Sequence, residues 1–324
     1  MKMRESEVEI VFVTALDYLI VEGKVSTSVG FEGGLVLTND IAYIKNLIGR
    51  VHALNIGVLE YTHLVSGRPV LYSVRKYVEP INIDDELTDF LREVQSFLVE
   101  LWIRVDNSVN CQQAFALQKK PDITSVNCLP VFNSAATGGN LDLKLSSRDL
   151  SSLLENSPVA VESIREQAMP ARTGLRKSRG RINIAMMHLQ AARNHRDLGF
   201  KISSYCSLFE SIFSTDKVEL AHQLSQRLAF FIGGTSFERL EIYRLTKKAY
   251  TVRSMAVHGD VLDKSVPELD VLASHCDEVA RKVLVRFFVN PNLFDLFNSR
   301  SNDDVFAYLL HMVMGDETYS SKFL

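Results

Sequence analysis

Tyr250-Thr251-Val252-Arg253-Ser254-Met255-Ala256-Val257-His258-Gly259 is the stretch on which the reading of this chain turns. Gly259 is a natural helix terminator, because glycine takes the left-handed backbone past a helix C-terminus at no steric cost. Ser236 is a plausible N-cap far upstream, so a long helix is expected from there through Tyr243 and Tyr250 to His258. Before it, Asp216 followed by Glu219 resembles a capping pair for a helix carrying Leu220, Leu224, Leu228 and Phe231, stopped by Gly233 and Gly234. Earlier still, Ile182, Ala185, Met186, Leu189 and Ala192 form an apolar stripe at helical spacing. Downstream, Pro267 can open a helix reaching Phe288, and Pro291 follows its end. Residues 181–324 are therefore expected to form an all-helical domain.

The N-terminal half reads differently. Val8 to Thr14, Lys24 to Val29 and Pro69 to Val78 are strand candidates, and Gly30, Gly33 and Gly34 mark turns. Asp84 to Val105 has helical spacing in Leu87, Phe90, Leu91, Val94, Leu98 and Leu101, with Asp84 and Asp85 favouring its start. Residues 106–145 are rich in Asn, Ser and Gly and predict loops and short strands. Trp102 is expected in the core of this first domain. The fold class is α+β: a mixed α/β domain over 1–155, a basic linker over 156–180, then the helices.

At 324 residues the chain accommodates two domains, and its net charge of -3 exerts no global pull on nucleic acid. An RNA contact must come from a local basic patch. Arg172, Arg176, Lys177, Arg179 and Arg181 offer one, although the same run also fits a solvated linker. Cys111, Cys128, Cys206 and Cys276 lie far apart in sequence, with no C-x-x-C pair. That spacing predicts neither a zinc site nor a disulfide framework and points to a reducing, cytoplasmic compartment. Glu9 and Asp17 interrupt the greasiest early run, so neither a signal peptide nor a membrane span is expected. No phosphate loop, nucleophile elbow or H-E-x-x-H occurs, and no metal or cofactor is expected. His188 and His195 are expected on one helix face, two turns apart at ~10 Å, too far to share a metal.

An arginine followed by a histidine after four to six residues is a loose pattern. With 21 Arg and 8 His in the chain, roughly 1.5 such hits arise by chance over the three spacings. Two occur: Arg181 with His188, and Arg253 with His258. Context separates them, since Arg253 is followed by polar Ser254 and closes a long helix that follows two others, whereas Arg181 opens the first helix after the linker.

Arg253-Ser254 with His258-Gly259, preceded by Tyr250, resembles the signature of the HEPN superfamily, in particular its Apea-like branch. The likeness extends upstream through Leu208-Phe209-Glu210 and through Glu219-Leu220 with Leu224, Arg227 and Ala229, covering residues 200–290 or so. It implies a helical domain that dimerises, or assembles further, and cuts RNA without metal, with Arg253 and His258 as the catalytic pair. Ser254, Tyr250 and Glu210 become supporting residues; Ser254 would position the pair, and Glu210 would hold an arginine rather than catalyse. Five residues along a straight helix rotate the side chain by about 140°, so the two do not share a face, and a dimer is needed to make two pairs converge. The resemblance further implies a hydrolase in prokaryotic anti-phage defence, a toxin-like enzyme whose RNA cleavage causes abortive infection. Residues 1–155 would then be a sensor or regulatory domain for a phage-derived or nucleotide trigger. The rival expectation is a non-catalytic HEPN-like module that binds RNA, a nucleotide or a protein. A third is a dimeric scaffold whose basic linker does the binding.

Overall fold

The computed structural model describes residues 7–30, 34–128, 132–155, 180–216 and 219–323. The chain is mixed α/β, with an N-terminal antiparallel sheet and helices toward the C-terminus, and it divides into two compact units.

The first unit is organised by β1 (Glu7–Ala15), whose residues from Ile10 onward are all buried. It lies inside a six-stranded antiparallel sheet, flanked by β5 (Val70–Val78) and β6 (Ala114–Lys119). β4 (Val36–Thr38) and β3 (Ser26–Ser28) extend one side, and β7 (Asp122–Asn127) the other. Burial on both faces explains why β1 reads as a near-continuous apolar run rather than an alternating one. Val11, Val13 and Ala15 pack on Ile44 and Ile48 of α1 (Ile41–Asn55). On the opposite face Phe12 stacks on Phe90 of α3 (Ile83–Arg104) at 5.5 Å. A short helix, α2 (Val58–Leu64), a parallel pair of β2 (Leu19–Glu22) with β8 (Leu143–Ser146), and α4 (Ser147–Glu155) complete the unit.

The second unit holds the helices α5 (Arg181–Asn194), α6 (Leu198–Phe213), α7 (Leu220–Ile232), α8 (Ser236–His258), α9 (Val266–Phe288), α10 (Pro291–Ser299), α11 (Asn302–Met314) and α12 (Glu317–Ser320). It also takes in two short stretches, Trp102–Asp106 and Asn133–Gly139, which precede the expected domain boundary in sequence. The predicted stripe Ile182, Ala185, Met186, Leu189 and Ala192 is wholly buried. Phe213, Phe231, Phe287 and Phe297 form an aromatic core with ring centroids 4.9 to 6.3 Å apart. The expected linker lies outside the described residues except for Gly180.

Several local expectations are corrected. The N-cap of α8 is Thr235, one residue before Ser236, because Thr235 and Glu238 form a reciprocal capping box. Asp216 and Glu219 do not cap α7 as a pair: Glu219 itself occupies the N-cap position, in a left-handed conformation with no side-chain cap bond. Pro291 does more than follow α9, since it opens α10. His195 lies just past the end of α5 in extended backbone, so it does not share a helix face with His188.

Trp102 is the largest correction. It is fully buried in the helical unit, not in the core of the sheet unit, and its Nε1 donates to Asp277 Oδ1 at 2.8 Å. Tyr205 OH donates to the same oxygen at 2.6 Å, and Arg281 Nε to Oδ2 at 2.9 Å. Arg193 lies over the indole ring at 5.4 Å, and burial pulls its guanidinium down to about 10. Lys201, on α6, is completely buried and donates to Ala192 O at 2.9 Å, capping a carbonyl in the last turn of α5. Burial pulls its ammonium down to about 8 against the opposing attraction of Asp277.

That lysine gives the fold a pH signature. Its folded pKa lies below the ordinary lysine value of 10.5, so between those limits the unfolded chain binds more protons and stability rises with pH. The cost of keeping it charged is fully present below about 8 and is relieved up to 10.5, at ~1.4 kcal/mol per pH unit. Urea unfolding of wild type and Lys201→Met at pH 7 and pH 10 checks this: the difference between the two proteins should change by about 2–3 kcal/mol across the range. An unchanged difference refutes it.

Candidate functional site

α8 is built to end abruptly at His258. Gly259 takes φ 75 and its N–H donates to Met255 O, closing the helix in the left-handed turn that a side chain would strain. The last turn packs against the start of α6, where a Cβ on Gly199 would stand 2.9 Å from Leu262 Cδ1 and 3.8 Å from Ala256 Cβ. Glycine there permits the close approach.

One turn before the end, Arg253 is anchored by a residue from another helix. Its Nη2 meets Glu210 Oε2, from α6, at 3.2 Å, and Tyr250 OH donates to Glu210 Oε1 at 2.8 Å. The guanidinium also lies 5.4 Å from the centre of the Tyr250 ring. Burial and the Glu210 carboxylate push the Tyr250 phenol up to about 12, so it remains a donor at neutral pH. Arg253 is 25% exposed, and its Nε has no hydrogen-bond partner among the described residues. That Nε is shielded from solvent, so a phosphate oxygen would meet the guanidinium only through its exposed part.

The remaining predicted residues fall in different places. Ser254 is half-buried and adjoins Arg253 on α8. His258 is exposed, with no hydrogen bond or ion pair among the described residues, and Arg253 and His258 share one continuous helix. His188 feels the charge of the cluster instead. It is half-buried on α5, burial holds its imidazole below the ordinary range, and the Glu210 carboxylate partly offsets this. Glu210 thus bonds Tyr250 and Arg253, one turn apart on α8, and its charge also acts on His188, which no sequence spacing links to them. An acidic residue in the middle of an apolar helix was the available signal.

Arg181 has a structural occupation. Its Nη1 donates to the carbonyls of Ser211, Ile212 and Ser214 at 3.4, 2.9 and 2.7 Å, and its Nη2 contacts Asn302 Oδ1. These are the last carbonyls of α6, where a cation complements the helix dipole, and Arg227 adds a bond to Phe213 O at 2.5 Å. Arg172, Arg176, Lys177 and Arg179 lie outside the described residues. Arg181→Ala is expected to cost about 1–3 kcal/mol by leaving these carbonyls unmatched. Any RNA affinity should persist once the variant is compared at equal folded fraction, which melting curves and a binding titration on one sample would check.

Basic charge concentrates on α8. Arg244, Lys247, Lys248 and Arg253 fall between Tyr243 and His258, where the helix carries no carboxylate. Among the described residues, no group of three or more His, Cys, Asp or Glu is placed to hold a metal, and no helix is long and apolar enough to cross a membrane. In the sheet unit, a cavity of about 240 Å³ is lined by Glu60, His63, Gln112 and Gln113 among others. Beside it the buried Asp17 carboxylate accepts from Arg68 at 2.6 Å and Gln112 at 2.9 Å. The chain matches no family model, no curated protein and no solved structure.

Proposed function

We propose that the helical unit is a metal-independent endoribonuclease of the HEPN type, with Arg253 and His258 as its catalytic pair. The observation that carries this reading is Arg253 itself: a partly exposed guanidinium oriented by Glu210, which Tyr250 holds in turn, on a carboxylate-free basic stretch that ends in an exposed histidine. Cleavage through the ribose 2′-OH needs a base for that hydroxyl, a cation for the phosphorane and an acid for the departing 5′-oxygen. Imidazole, with an ordinary pKa of ~6.5, can serve in either proton transfer. Arg253, always charged, would neutralise the phosphorane. Its rotation of about 140° from His258 is met by pairing two copies, so that one histidine is base and the other acid.

One observation favours a second arrangement. The charge of the Glu210 carboxylate that holds Arg253 also acts on His188 within the same chain. In that version His188 performs a proton transfer and no dimer is required.

The test is RNA cleavage in EDTA by wild type, His258→Ala and His188→Ala, with the product ends identified. Products bearing 2′,3′-cyclic phosphate, lost only with His258, support the first arrangement; loss only with His188 supports the second. Inert wild type on total RNA leaves either an enzyme awaiting its trigger or a non-catalytic binding module, which an RNA-binding titration on the same samples would follow up. We extend the ribonuclease reading to anti-phage defence by growth arrest, with the sheet unit sensing a trigger. Growth arrest on expression, relieved by the inactivating histidine substitution, is the corresponding cellular result.

A further inference from the structure

We propose that the groove between the start of α7 and the face of α8 is a binding track for single-stranded RNA, in which an unpaired base stacks on His222, braced by Tyr243, while Lys247 holds a neighbouring phosphate. This rests on the ribonuclease reading and adds to it residues that lie outside the Arg253 cluster. The groove is shallow and open to solvent, spans about 630 Å³ and is lined by Glu219, Leu220, Ala221, His222, Lys247 and Tyr250. That volume lies within the roughly 300–1,000 Å³ of clefts that take small ligands, and a nucleotide is of this class.

Geometry connects the groove to Arg253. Tyr243, Lys247, Tyr250, Ser254 and His258 follow one another at intervals of four, three, four and four residues, which keeps them within about 80° of one another around α8. Arg253 borders this face. From Tyr243 to His258 the face is about 22 Å long at ~1.5 Å per residue, so a strand entering at His222 would be led past Tyr250 to the proposed reacting groups.

Side-chain chemistry points to RNA with exposed bases. His222 is exposed, its Nδ1 is 2.8 Å from Tyr243 OH, and the two rings meet edge-to-face at 5.7 Å. The hydrogen bond fixes the imidazole as a platform for a base. Lys247 Nζ stands 5.9 Å from the Tyr243 ring centre, with no carboxylate partner among the described residues. Arg244 and Lys248 are exposed on the same helix. Of the nearby carboxylates, Glu210 is held by Tyr250 and Arg253, and Glu219 lines the groove's end. Cations interleaved with aromatic rings are the usual means of gripping a single strand, where phosphates supply the charge and bases the stacking. A duplex buries its base faces and offers no such stacking.

The test uses full-length protein and a fluorescein-labelled 2′-O-methyl oligouridine, which lacks the attacking hydroxyl and is not cut. Binding is followed by anisotropy at several salt concentrations, with a duplex of equal length in parallel. The single strand should bind more tightly than the duplex. His222→Ala should weaken it about fivefold or more, and Lys247→Gln should reduce the salt slope by about 0.7. Both positions are exposed, so matched melting curves will show that folding is intact. Wild-type affinity and salt slope in both variants would overturn the track while leaving the ribonuclease reading in place. If wild type binds neither RNA, that reading falls with it.

Discussion

Asp277→Ala is expected to destabilise the helical unit by about 3–5 kcal/mol, the cost of stripping one partner from a buried charged network. The carboxylate is 1% exposed and accepts three bonds, from Trp102, Tyr205 and Arg281. Alanine would leave an indole N–H, a phenol and a guanidinium without their acceptor, where little water can replace it. Arg193 and Lys201, both buried and attracted by Asp277, would lose a compensating charge as well. Asp277→Asn keeps one acceptor oxygen and should cost less than alanine. Trp102 is the chain's single tryptophan, so its fluorescence reports on this cluster directly. Urea unfolding followed at that signal checks the prediction. A loss below about 1 kcal/mol for alanine, the size of one ordinary hydrogen bond, would show that the network is not acting as a unit.

His258→Ala is expected to lower RNA cleavage by about 10²- to 10⁴-fold, the usual contribution of one positioned acid or base. The side chain is exposed and makes no bond among the described residues, so stability should change by no more than about 0.5 kcal/mol. This separation makes the result interpretable, because lost activity could not be ascribed to unfolding. His188→Ala is the internal control. It is half-buried, so its removal should disturb packing while leaving the cleavage rate per folded molecule within a few fold. A dead His188→Ala beside an active His258→Ala would reverse the assignment and place both functional groups around Glu210. Cleavage by a protein that sediments as a monomer would count against the two-copy arrangement.

The apolar spacing of α5 and α7 and the terminator Gly259 of α8 were legible because each depends on neighbours a few residues away. A helix buries a stripe every three to four residues, and its ends must satisfy their own backbone groups. The caps were less legible: Thr235 displaced Ser236 only because its partner Glu238 completes the reciprocal bonds. Trp102 was misplaced for a different reason. Aromatic side chains belong in some core, but composition does not reveal which one, and the acceptor that holds Trp102 is Asp277, far along the chain.

The candidate site divides in the same way. Tyr250, Arg253, Ser254 and His258 could be singled out from one segment, as residues presented by a helix that stops at glycine. Tertiary structure alone brought Glu210 from α6 onto Arg253 and Tyr250 and set His222 against Tyr243. It also turned Arg181 toward the carbonyls at the end of α6. The physical reason is range. Helical periodicity and capping act over a few residues and are written locally. Ion pairs, desolvation and ring contacts depend on distances through space, which are determined only once the helices have packed.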